Sequence, residues 1–102
     1  SREAATPPQP VDRGLAAERT LLEAARIALA RGATDAAQDL LREHAGRYPR
    51  GQLSPERSVL FVQSLLAAGR TEEARQAAQN FRRAHPRSTL LPALDALLGA
   101  TH

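Results

Sequence analysis

From Leu15 onward the apolar positions of this chain recur at helical spacing. Leu15, Leu22 and Leu29 stand seven residues apart, and Leu21, Ala25 and Ala28 widen the same stripe. Gly32 stops this first helix, and Thr34 is placed to cap a second, with Asp35 in its first turn. Ala37, Leu40, Leu41, His44 and Tyr48 form the inner face of the second helix, which Pro49 ends. Ser54-Pro55-Glu56 reads as a capping serine, a proline at the first helical position and an acid in the first turn. Leu60, Phe61, Val62, Leu65 and Leu66 make this third helix apolar on more than one face, as a central helix packed on both sides would be. Gly69 closes it. Thr71-Glu72-Glu73 opens a fourth helix with Ala74, Ala77, Ala78, Phe81 and His85 inward, and Pro86 ends that one. Ser88 or Thr89 is placed to cap a fifth, with Pro92 in its first turn and leucine at positions 90, 91, 94, 97 and 98. Residues 1–13 carry three prolines and no apolar period, so they are expected to form a flexible linker to a helical domain over 14–102.

The pattern repeats. Gly32, Ala37 and Pro49 return as Gly69, Ala74 and Pro86, an offset of 37 residues throughout. Leu29-Ala30 returns as Leu66-Ala67, and Leu53 and Pro55 return as Leu90 and Pro92. A period of this size signals stacked helical hairpins. The expected fold class is all-α: an antiparallel helical-hairpin stack of five helices, two hairpins and a closing helix.

These residues resemble a tetratricopeptide repeat, whose unit is a helical hairpin of about 34 residues. The family places a small residue in its first helix, glycine at the turn, alanine early in the second helix and proline after it. Ala25, Gly32, Ala37 and Pro49 hold those places in the first unit, and Val62, Gly69, Ala74 and Pro86 in the second. Gly99 would be the small residue of an incomplete third unit. The resemblance covers roughly residues 15–101 and implies an α-solenoid of about two and a half repeats. The family's tryptophan and tyrosine are replaced by Leu21 and Ala28, then by Ser58 and Leu65, and each unit is about three residues longer than the norm. The extra residues are most easily placed in the loop after the proline. Bacterial envelope proteins with such repeats, among them outer-membrane assembly lipoproteins and Tol-Pal-associated periplasmic proteins, have similar AxxLL…YP and AxxF…HP endings. The resemblance therefore favours a bacterial protein of the periplasm or cell envelope.

Composition narrows the chemistry. Among 102 residues there are 21 alanines and 15 leucines against three valines and one isoleucine, which favours closely packed helices over sheet. The absence of cysteine excludes disulfides, thiol nucleophiles and zinc–thiolate sites within this chain. No apolar run is long enough to span a membrane, and no signal peptide is visible. The first residue is Ser1 rather than methionine, which points to a piece or processed product of a longer protein. All 14 cationic residues are arginines, yet 11 acids are spread among them and the net charge is only +3. That is a mixed solvated surface rather than a polyanion-binding field. Arg75, Arg82 and Arg83 share an exposed face of the fourth helix, but acidic neighbours and few aromatics argue against nucleic acid.

No glycine-rich phosphate loop, serine–histidine–acid set or paired carboxylate motif is present, so no enzyme, cofactor or metal site is expected. His44 takes the place that Phe81 holds in the second unit, and a hydrogen-bonded inward histidine explains it better than a metal ligand or catalytic base. The expected function is a non-catalytic protein–protein interaction module. The resemblance implies a peptide or protein partner on the face of each hairpin's first helix. Carried over, those positions are Arg19, Leu22, Arg26 and Leu29, then Glu56, Val59, Gln63 and Leu66. The lysine/asparagine clamp that some members use for a terminal carboxylate is not reproduced. A structural alternative is a weak homodimer through Leu91, Leu94 and Leu98 of the leucine-rich last helix.

Overall fold

A computed structural model describes residues 10–99, with side chains from Gly14 onward. It is all-helical. Five helices follow in order: α1 (Pro10–Ala30), α2 (Thr34–Arg47), α3 (Ser54–Ala67), α4 (Thr71–Ala84) and α5 (Leu91–Gly99). No strand occurs among the described residues. The expected boundary between linker and domain falls inside α1, because residues 10–13 are already helical. Pro10 lacks the N–H that a first helical residue leaves unused anyway, so it starts a helix well. The rest of the expected linker, residues 1–9, lies outside the described residues, as do residues 100–102.

The repeat is present in the backbone. Gly32 and Gly69 have φ of 76° and 77°, the left-handed conformation that ends a helix and that side chains resist. At both, the two Schellman bonds form: Ala33 N–H to Ala28 O and Arg70 N–H to Leu65 O at 2.8 Å, with Gly32 to Leu29 and Gly69 to Leu66 at 3.0 Å. After the prolines the chain turns twice in the same way. Gly51 N–H reaches Tyr48 O and Ser54 N–H reaches Gly51 O; 37 residues later Ser88 reaches His85 and Leu91 reaches Ser88.

Two of the expected caps act otherwise. Thr34 and Ser54 are first helical residues rather than caps, and neither α2 nor α3 has a side-chain cap bond. Ser54 instead donates its hydroxyl back to Gly51 O at 2.8 Å, so it closes the connector rather than the helix end.

Packing centres on α3, which touches every other helix; α1 also packs on α2, and α4 on α5. One core cluster joins Leu22, Ala25, Leu41 and Leu60, and a second joins Val62, Leu65, Ala74, Ala78, Phe81 and Leu94. Phe61 packs against both, which is why the third helix is apolar around more than one face. Ala25, Ala37, Ala74 and Ala78 are fully buried, letting neighbouring helices approach closely. The leucines of α5, with Leu90 just before it, divide between two environments. Leu90, Leu91, Leu94 and Leu98 pack on the second cluster, whereas Leu97 faces a groove beside α3.

Candidate functional site

The packing of α1, α3 and α5 leaves a groove of about 470 Å³ along their shared face. Arg26 stands on one wall and α3 supplies Glu56, Val59 and Gln63. Leu90, Ala93, Ala96 and Leu97 of the α5 side complete it. Alanine at two successive turns of α5 keeps that wall low, so Val59 and Leu97 form an open apolar floor. Glu56 also lines an adjoining recess with Gln52, Pro55 and Arg87. One of its carboxylate oxygens, Oε1, is buried and has no hydrogen-bond partner among the described residues. An acceptor in that state costs free energy until a donor reaches it. Arg26 holds Glu23 at 3.5 Å, so its charge is directed along α1 rather than to Glu56.

Four of the eight expected partner-binding residues therefore meet in one groove: Arg26, Glu56, Val59 and Gln63. The other four do not line it. Leu22 is a core residue at 3% exposure, and Leu29 and Leu66 are half-buried against the two clusters. Arg19 is exposed on α1 outside the groove. The α5 wall lies outside the expected sites: its leucines are Leu90 and Leu97, whereas the set expected for self-association is Leu91, Leu94 and Leu98. Of that set, Leu94 is wholly buried, and Leu91 and Leu98 are half-buried on the core, so the three form no common outward face.

A second polar assembly was missed from the sequence. His44 is fully buried, and its Nε2 lies 2.9 Å from Glu18 Oε1, itself on a side chain 5% exposed. The Glu18 carboxylate also accepts the backbone N–H groups of Gln52 and Leu53, at 3.2 and 3.1 Å. On the other edge of the ring, Arg57 Nη1 lies 3.1 Å from His44 Nδ1 and donates to Tyr48 O at 3.2 Å. Arginine has no acceptor, so Nδ1 must accept and the ring hydrogen sits on Nε2, where it donates to Glu18. The chain Arg57–His44–Glu18 thus ties α3, α2, α1 and the connector together. Burial pushes the Arg57 guanidinium below its ordinary pKa, partly opposed by the charge of Glu18. The signal for Glu18 was an acid in register with the stripe of Leu15, Leu22 and Leu29. Gly51 belongs to the same site: a Cβ there would overlap all three carboxylate atoms of Glu18. With His44 wholly enclosed, the assembly joins helices.

The surface arginines are largely paired. Arg75 binds Glu72 at 2.9 Å, Arg82 binds Asp95 on α5, and Arg83 donates to Asn80 at 2.6 Å. Arg70 donates two bonds of 2.6 Å to Glu73, which raises its own pKa and, chiefly through those bonds, lowers that of Glu73. No group of three metal-ligating side chains comes together, and no helix is long and apolar enough to cross a membrane, among the described residues. Comparison with known proteins adds no relative, since no family model, no curated protein and no solved structure matches this chain.

Proposed function

We propose that this chain is a non-catalytic interaction module of the tetratricopeptide-like kind, which holds a peptide segment of a partner protein in the α1–α3–α5 groove. The observation that carries the reading is the Glu56 Oε1 atom, buried and unpartnered at the edge of an apolar floor. A partner that lays an apolar side chain on Val59 and Leu97 and brings an N–H or cationic group to Glu56 satisfies both surfaces at once. Gln63 adds one amide donor and acceptor for the partner backbone. The 37-residue period, its two glycine turns and the central position of α3 support a hairpin-stack reading of the fold.

Peptides selected from a random display library against the whole chain test this. Selected sequences should share a basic residue beside a large apolar one, and their binding should move the amide NMR signals of Glu56, Val59, Gln63 and Leu97. Glu56→Lys should abolish binding while the circular dichroism spectrum is unchanged. Selected peptides that map to α2 and α4, or bind Glu56→Lys undiminished, would remove the groove from this role.

A further inference from the structure

On the opposite side, α2, α3 and α4 frame a second groove, of about 430 Å³. Its floor is Leu41, Phe61 and Phe81, and its rim carries Arg42, Arg57 and His85. Among the described residues no acidic side chain lines it. Phe81 and His85 stack at 4.9 Å between ring centroids, so the aromatic floor runs directly into the cationic rim.

Arg57 gives the groove its direction. It is partly buried, yet it touches no carboxylate: its one engaged nitrogen, Nη1, is bonded to two neutral acceptors, His44 Nδ1 and Tyr48 O. Glu18 is reached only across the His44 ring. Those bonds fix the guanidinium and leave its other N–H groups without a hydrogen-bond partner among the described residues. A partly buried cation whose nearest carboxylate, Glu18, acts only across the His44 ring favours an anion brought into direct contact from outside, and the guanidinium fork matches a carboxylate. Arg42 stands on the same rim but is shared with Asp39 at 3.2 Å, so it is the weaker of the two.

We infer that this groove is a binding site for a small amphipathic carboxylic acid, with its apolar body on Phe61 and Phe81 and its carboxylate on Arg57. The concave shape, mostly apolar lining and few placed donors are those of a small-molecule site. The commitment is to a free acid rather than a protein segment.

Titration of the whole chain with sodium octanoate, followed by amide NMR, tests this, with octylammonium chloride and the acetylated, amidated tripeptide LFE as comparisons. Octanoate should saturate and shift Phe61, Ala77 and Phe81; octylammonium, with the same tail, should not. Arg57→Gln should weaken octanoate by about tenfold or more, and Arg42→Gln by less. If Arg57→Gln does not fold, the head-group comparison in the parent chain and Arg42→Gln carry the decision. Equal binding of octylammonium, or no saturable octanoate shift, overturns the site. Binding of the tripeptide without octanoate would overturn it too, since the occupant would then be a protein segment.

Discussion

His44 and Phe81 lie 37 residues apart and fill the same place in successive units, one as the hub of a buried polar network and the other inside an apolar core. The same offset carries Arg57 to Leu94 and Glu18 to Pro55. It also carries the backbone N–H of Leu53, held by Glu18, to that of Leu90, held by the Ser88 hydroxyl at 3.1 Å. Two chemistries thus occupy one backbone geometry. The apolar version stands on transfer and packing, with Ser88 holding the Leu90 N–H. The polar version holds only while every member keeps its partner.

That asymmetry fixes the effect of substitution. His44→Phe imports the residue of the second unit but leaves the buried Glu18 charge without its side-chain partner and Arg57 without its acceptor on the ring. It should cost about 3–5 kcal/mol in urea unfolding. Removing the acid by Glu18→Ala and importing the second unit's residues by Gly51→Ser and Arg57→Leu, together with His44→Phe, should restore most of that loss. If the combined variant stays as unstable as the single one, the two sites are not interchangeable.

Gly51 is glycine because of space, not backbone angle. Its φ is not positive, but a Cβ there would occupy the position of the Glu18 carboxylate. Gly51→Ala should therefore displace that carboxylate from Gln52 and Leu53 and cost about 1–3 kcal/mol. In Glu18→Ala the same change should cost little, and a double-mutant cycle measures the coupling.

The donors around His44 dictate its tautomer. Long-range ¹H–¹⁵N correlation should show a neutral ring with hydrogen on Nε2 and a bare Nδ1, and a hydrogen on Nδ1 would contradict the contact with Arg57. Arg57→Leu removes the donor and should loosen this preference without moving Tyr48 from the His44 ring, 5.6 Å away.

Helices, turns and most of the core were legible in the sequence because each rests on local chemistry. Gly32 and Gly69 announce left-handed turns, and Leu22, Leu41, Leu65 and Phe81 announce inward faces by spacing alone. The polar network was not legible, because its members are 26 and 13 residues apart and only the packing of α1, α2 and α3 brings them together. His44 was read as an inward, hydrogen-bonded residue, but Glu18 and Arg57 were not named as its partners. Carrying family positions over face by face failed at Leu22, because the helix surface turned toward α2 and α3 includes it.

Acid should loosen the α4 end. The bonds from Arg70 hold the Glu73 carboxyl below the ordinary carboxylate range, opposed in part by desolvation and helped least by the Arg70 charge. The folded value is depressed, so this contribution is fully present above the unfolded value and is lost as pH falls through the folded one. Both side chains are exposed, so the effect is small and screened by salt. Carbon-detected titration should place Glu73 below the ordinary carboxylate range, and Arg70→Gln should bring it up toward that range.

Leu94 and Leu97 separate stability from recognition on one short helix. Leu94 is fully buried at the meeting of α3, α4 and α5, so Leu94→Ala should cost about 2–5 kcal/mol and lower the thermal midpoint. Leu97 is half-buried on the groove wall, and Leu97→Arg can turn its charge to solvent at much smaller cost. That charge would stand over the Val59 floor and face the donor a partner brings to Glu56, so it should weaken peptides selected against the α1–α3–α5 groove. Octanoate in the opposite groove should be unaffected, since Leu97 does not line it. Sedimentation of the parent chain over a wide concentration range should show no dimer dependent on Leu94, which has no surface to offer. A variant at Leu97 that keeps its melting curve and its peptide affinity would mean that the partner does not use the α5 wall.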